Sequence, residues 1–151
     1  MPQSLSQNYV HLVFSTKDRK SFLQDTELQK RVHAYVAGTC KNLDSPAIIV
    51  GGIADHVHIL LQLARTKALS DVVRDIKRES TKWIREEAPR LSEFHWQSGY
   101  GAFSVSHSLV DTVAHYIRNQ AEHHQKMSFQ DEFRKLLKKS GLQWDERYVW
   151  D

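Results

Sequence analysis

Residues 47–63 read AIIVGGIADHVHILLQL, and the fold turns on how this stretch is read. Ala47 to Ile53 is rich in Ile and Val, and Asp55 to Leu63 is again dominated by apolar residues. Two such runs with few residues between them predict paired strands, joined as a hairpin through a short turn or bulge. Gly51-Gly52 predicts a bend or bulge near the end of the first run. Pro46 separates this hairpin from the segment before it.

Outward from the hairpin, the period of the apolar residues changes. Asp25 to Asn42 places Leu28, Val32, Tyr35 and Val36 at helical spacing, with Asp25 as its N-cap. Before it, Asn8 to Ser15 (NYVHLVFS) predicts a largely buried strand. After the hairpin, Ala68 to Glu87 predicts a helix with Leu69, Val72, Val73, Ile76 and Trp83 toward a core, capped by Thr66 or Ser70 and closed by Pro89. The second half of Phe94 to Ser106 predicts a fourth strand, and Leu109 to Gln125 a third long helix. A short charged helix over Ser128 to Ser140 ends at Gly141, and a tail runs to Asp151. The order strand, helix, strand, strand, helix, strand, helix predicts an α+β fold of the ferredoxin-like split βαβ kind. Such a fold is an antiparallel sheet with helices on one face. Residues 1–151 read as one domain, with 127–151 as its C-terminal helix and tail.

Composition sets outer bounds. The 151 residues are enough for one real core. Lys plus Arg is 21 and Asp plus Glu is 18, a net +3 that permits nucleic acid as a partner without demanding it. One cysteine, Cys40, excludes an internal disulfide and any cysteine-based zinc cluster, and suits a reducing, cytoplasmic setting. No signal peptide or membrane-spanning run is visible, so no membrane partner is expected.

His56-Val57-His58 falls within a predicted strand, where alternate residues share a face. The two imidazoles therefore point one way with Cα atoms roughly 7 Å apart, close enough to meet one ion. On spacing alone, a structural pair on the solvent face stays open beside the metal reading. Tyr116 and Gln120 lie four apart in a predicted helix and share a face. Gln120 offers an amide oxygen to a metal, and Tyr116 would stand beside it. A packed tyrosine and a solvated glutamine fit the same spacing.

Three ordered strings go further: DHVHILL (Asp55–Leu61), WQSGYGAFSVS (Trp96–Ser106) and HYIRNQ (His115–Gln120), followed by the ending GLQWDERYVWD. Together they resemble the HUH single-tyrosine transposases of the insertion sequence 200-like kind, across nearly the whole chain. The resemblance implies that His56, His58 and Gln120 hold a divalent metal, Mg²⁺ or Mn²⁺. It implies that Tyr116 attacks a phosphodiester of single-stranded DNA, leaving a 5′-phosphotyrosine link and a free 3′-OH. It also implies recognition of hairpins at element ends, and a homodimer in which one chain's tyrosine helix can complete the other's metal site, with action of Tyr116 in cis or in trans both open.

For the DNA surface, Arg74, Lys77, Arg78, Lys82 and Arg85 lie along the second helix, and Lys17, Arg19 and Lys20 follow the first strand. Such groups neutralise phosphates. A solvated face is the plain alternative for the helix, because acidic residues are interleaved. Aromatic residues near Trp96 to Tyr100 read first as core and second as platforms for unpaired bases. Other functions compatible with the residues are a domesticated relative that processes repeated palindromes, a non-cleaving DNA-binding regulator, and a metal enzyme acting on small molecules. The last leaves the Tyr116–Gln120 spacing unused.

Overall fold

The computed structural model describes residues 2–151. Strands β1 (Tyr9–Ser15), β2 (Ala47–Ile53), β3 (His56–Gln62) and β4 (Gly101–Val105) form one sheet in the order β2-β3-β1-β4, with every pair antiparallel. Helix α1 (Thr26–Asn42) links β1 to β2, and α2 (Leu69–Glu87) links β3 to β4. This is the split βαβ order expected from the sequence. Beyond β4 come α3 (Val110–Arg118), α4 (Gln120–His123) and α5 (Phe129–Lys139).

Alternation along the strands divides the sheet into two faces. Leu12, Phe14, Val57, Ile59 and Leu61 meet Val32 and Val36 of α1 and Val72, Ile76 and Ile84 of α2, forming the main core. The opposite face presents His11, Val13, His56, His58 and Leu60. The segment α3–α5 covers it, through Ala114 and Ile117 on one side and Phe129 and Phe133 on the other. The α1–α2 layer thus occupies one face as expected, and the helices after β4 bury the second. For that reason β3 reads as buried from His56 to Leu61 rather than alternating.

Several local expectations are refined. Asp25 caps α1, accepting from the backbone N–H groups of Glu27 and Leu28. Helix α2 starts from Ala68 with no side-chain cap, so neither Thr66 nor Ser70 serves. The backbone carbonyl of Ala68 accepts from the N–H groups of Asp71 and Val72 at that end, and Val72 and Val73 are buried there. The irregularity of β2 lies between Ala47 and Ile49, not at Gly51-Gly52. The helix expected over Leu109 to Gln125 is broken at Asn119 (φ −98, ψ 25). There Asn119 Nδ2 donates to His115 Nε2 at 2.9 Å, a local bond of the kind that competes with helix continuation. Ser128 caps α5, and Gly141 follows it at φ 71, as the sequence predicts. Trp96 is core: it is buried, and its indole N–H donates to Ser80 Oγ at 2.9 Å.

Gly51 stands opposite His58 in the β2–β3 ladder, and a Cβ there would come within 2.6 Å of the Ile117 carbonyl oxygen. Gly101 likewise leaves room for the Phe133 ring, which a Cβ would meet at 2.8 Å. These two positions let α3 and α5 press onto the histidine face. Gly51→Ala should therefore push α3 outward, at a cost of about 1–3 kcal/mol typical of overpacking. The check is a thermal melt of the variant, which should shift down by several degrees; an unshifted melt would contradict this seating of α3.

Candidate active site

His56 and His58 project from β3 onto the face covered by α3–α5, and both are fully buried. Their outer nitrogens are held from behind. His56 Nδ1–H donates to Asp55 Oδ1 at 2.7 Å, and His58 Nδ1 is 2.8 Å from His11 Nε2. Partners of this kind fix ring orientation in metal-ligating histidines. The Nε2 atoms point to a common centre. His56 Nε2 lies 2.8 Å from Gln120 Oε1, and His58 Nε2 lies 3.0 Å from Glu132 Oε1.

The break at Asn119 does not separate Tyr116 from Gln120. The Tyr116 hydroxyl donates a short hydrogen bond to Glu132 Oε2, and Gln120 Nε2 donates to the same oxygen at 3.0 Å. Tyr116, Gln120, His56 and His58 therefore meet in one chain, around Glu132. Three contributors were not singled out from the sequence: His11, His124 and Glu132. Glu132 had a legible signal, since it stands three residues after Phe129 on the apolar stripe with Phe133 and Leu136. His124 falls four residues after Gln120, and His11 interrupts an otherwise apolar strand.

His56, His58, His124 and Glu132 bring one potential ligand atom each to within 4.8 Å of one another. That span is close to the roughly 4 Å expected across one ion with bonds of about 2.0–2.2 Å. The donor chemistry of imidazole and carboxylate thus fits a divalent metal. A cavity of about 280 Å³ opens beside the Tyr116 ring, lined by His11, His123 and Glu132 and flanked by Lys135 and Lys139.

Electrostatics follow from burial and proximity. Burial raises the Tyr116 hydroxyl well above the usual tyrosine range, and the Glu132 charge raises it further. Burial alone would raise the Glu132 carboxyl, but hydrogen bonds from His124 and His58 hold it far below the usual carboxylate range. Burial opposes charge on His124, yet the hydrogen bond and charge of Glu132 outweigh it and raise its pKa. Burial lowers His11 to about 3 and His58 to about 4. On α1, His33 is lowered to about 4 by burial and then by His56, and its buried Nε2 has no hydrogen-bond partner. A histidine with a depressed folded pKa stabilises the fold fully above its unfolded value of 6.5, and that contribution is lost as pH falls toward 4. Metal-free protein should therefore melt at lower temperature at pH 5 than at pH 7.5, and His33→Phe should shrink that difference. Equal melting temperatures at the two pH values would contradict the neutral, buried state of these rings.

The basic residues divide into held and free groups. Lys77 Nζ donates to the carbonyls of Gln97, Ser98 and Gly99 and lies 4.9 Å from the Phe14 ring, and burial lowers it to about 8. Arg74 pairs with Asp71 and Asp75, and Arg78 with Asp75 and Glu79. Arg85 donates to the Phe94 carbonyl, and Arg19 lies 5.5 Å from the Trp150 ring. Lys17, Lys20 and Lys82 are exposed. A groove along α2, lined by Arg78, Lys82 and Arg85, meets a second groove lined by Lys17 and Trp150, the two sharing His95 and Trp96. Lys17 and the α2 residues Arg78, Lys82 and Arg85, far apart in sequence, thus border adjoining grooves.

A family model described as "Transposase IS200 like" matches residues 4–120. Among solved structures, one similar fold is a candidate transposase from Deinococcus radiodurans R1, at 22% identity and a TM-score of 0.65 over 80% of this chain and 95% of that one. Another is a REP-associated tyrosine transposase bound to a REP hairpin, at 16% identity and a TM-score of 0.58 over 82% of this chain and 72% of that one. No curated protein matches the chain.

Proposed function

The chain belongs to the IS200-like transposase family, and from that premise we propose that it cleaves and rejoins single-stranded DNA through Tyr116, using a divalent metal held by His56, His58 and Gln120. The observation that carries this reading is the placement of the Tyr116 hydroxyl beside the inward-facing His56 and His58, through their shared partner Glu132.

In the proposed reaction the Tyr116 oxygen attacks phosphorus of a phosphodiester. A tyrosine O–P bond forms as the P–O3′ bond breaks; the phenolic proton passes to solvent by way of Glu132, its hydrogen-bond acceptor, and the 3′ oxygen takes up one proton from water and leaves as a hydroxyl. When bound, the metal polarises the phosphate and steadies the leaving oxygen. The residues of the chain do the positioning. Glu132 fixes the direction of the phenolic O–H, and Gln120 fixes Glu132. Burial removes water from the histidines, which strengthens every charge interaction at the site. Lys135 and Lys139 at the adjoining cavity offer positive charge to the flanking phosphates, and the grooves bordered by Lys17, Arg78, Lys82 and Arg85 offer more. Hairpin recognition is supported by the REP-associated tyrosine transposase, whose structure holds a REP hairpin. The test is incubation of the protein with end-labelled hairpin oligonucleotides and Mn²⁺ or Mg²⁺. Cleavage that stops in EDTA is the expected result, and cleavage unchanged in EDTA would rule out the metal.

We also infer a homodimer. Strand β4 lies at one edge of the sheet, and among the described residues no strand pairs with its outer side. Such an edge favours pairing with a second chain. Light scattering at micromolar concentration should report twice the chain mass; a monomer would refute the pairing.

A further inference from the structure

The family match ends at Gln120, just short of two residues that point into the same centre. We propose that His124 and Glu132 join His56, His58 and Gln120 as ligands of the metal, giving a site of three imidazoles, a carboxylate and an amide oxygen that takes a transition-metal ion in strong preference to Mg²⁺. The proposal rests on the reading that this site holds a metal, and it names the ligands and the class of ion.

The first argument is a count of donors and acceptors. His124 Nδ1–H donates to the Met127 carbonyl at 2.6 Å, while its Nε2 faces Gln120 Oε1 and Glu132 Oε1, each at 3.0 Å. His56 shows the same pattern, with Nδ1–H donating to Asp55 Oδ1 and Nε2 facing Gln120 Oε1. The orientation of Gln120 is fixed, because its Nε2 must donate to Glu132 Oε2. In the neutral form that ligates a metal an imidazole carries one N–H, and with Nδ1–H donating outward each ring turns its Nε2 lone pair inward, toward an oxygen that only accepts; in the metal-free chain a proton on His124 Nε2, favoured by Glu132, holds the place of the ion. His58 Nε2 adds a third nitrogen at 3.0 Å from Glu132 Oε1. Three inward nitrogens and the oxygens of Gln120 and Glu132 converging in a buried space call for positive charge between them, which one metal ion in place of protons supplies to all of them together.

The second argument is the way the rings are supported. Asp55, the Met127 carbonyl and His11 each hold the Nδ1 side of one ring. That arrangement leaves every Nε2 aimed inward, as ligating histidines require. Glu132 is 1% exposed and His124 is partly buried. The carboxylate also divides its work: Oε1 faces the imidazoles while Oε2 holds the Tyr116 hydroxyl and Gln120. Glu132 would therefore connect the ion directly to the nucleophile.

The third argument concerns the ion. Imidazole nitrogen suits the later divalent transition metals. Mg²⁺ prefers an octahedron of oxygens and retains waters, which three buried imidazoles do not supply.

The test loads full-length wild-type protein with Zn²⁺ or Co²⁺ and counts coordinated imidazoles by X-ray absorption. Three is the expected number, and two would overturn the assignment of His124. Calorimetric titrations with Co²⁺ and Mg²⁺ should differ in affinity by at least a hundredfold, and equal affinities would overturn the claimed selectivity. His124→Ala and Glu132→Gln should each weaken Mn²⁺ binding at least tenfold, and unchanged binding in either would remove that residue from the ligand set. His56→Ala serves to separate the two levels of the reading. If it binds Mn²⁺ as wild type does, or if wild type binds no metal at all, the metal site itself is wrong and not only its added ligands.

Discussion

Tyr116→Phe should abolish the covalent protein–DNA adduct entirely. Phenylalanine keeps the ring, which lies edge-on to His58 at 5.8 Å and to His11 at 6.2 Å, and removes only the attacking oxygen. Metal binding should persist, because the proposed ligands are other residues. Single-stranded DNA should still bind, because its phosphates meet Lys and Arg. From the sequence, removal of the hydroxyl should barely alter stability. The structure revises that: the lost hydrogen bond runs to a buried, ionised Glu132, so a cost of about 1.5–3 kcal/mol is expected. In a domain of this size that lowers the melting temperature by about 3–12 °C, which leaves a folded protein at 25 °C. The remaining tyrosines serve as controls. Tyr35 stacks on Trp83 beneath the other face of the sheet, Tyr100 lies 5.7 Å from Lys77 Nζ, and Tyr148 is exposed in the tail. Their Phe variants, and that of Tyr9, should keep the adduct. A denaturing gel with labelled hairpin DNA reads all five variants, and an adduct formed by Tyr116→Phe would end the assignment.

The second large effect is expected from the histidine pair. His56→Ala removes one inward nitrogen and leaves Asp55 and Gln120 without their shared partner. His58→Ala does the same to His11 and Glu132. Metal acting as a Lewis acid is worth several kcal/mol in the transition state, so cleavage should fall by about a thousandfold or more in either variant. Both residues are fully buried, so each variant also leaves polar partners unpaired, and some loss of stability accompanies the lost activity. Circular dichroism at 15 °C separates the two effects. A folded His56→Ala protein that cleaves at the wild-type rate would exclude the proposed metal role.

Much of the fold was open to reading because its signals are local. The apolar runs on either side of Gly51-Gly52, the Asp25 cap and the Gly141 stop each report on a few neighbouring residues, and each appears where expected. The break at Asn119 was hidden because residues 118–125 contain neither glycine nor proline to signal a stop. The cap of α2 was misread because the helix begins at Leu69, which puts Ser70 inside its first turn and Thr66 two residues before the cap position, held by Ala68. Within the site, His56 and His58 announced themselves by strand alternation. Glu132 signalled itself more faintly, by its place on the stripe of Phe129, Phe133 and Leu136 in a helix otherwise rich in charge. Lys77 shows the reverse: a lysine in a basic stripe proves to be bound to three carbonyls and packed on Phe14.

The central claim is that Tyr116 forms the bond to DNA, and peptide mapping tests it most directly. Wild-type protein is incubated with a single-stranded hairpin oligonucleotide and Mn²⁺, the DNA is trimmed by nuclease, and the protein is digested with trypsin. The peptide Leu91–Arg118 carries both Tyr100 and Tyr116. Fragmentation by mass spectrometry should place the added nucleotide mass on Tyr116. Finding that mass on Tyr100, or on any peptide outside Leu91–Arg118, would contradict the account.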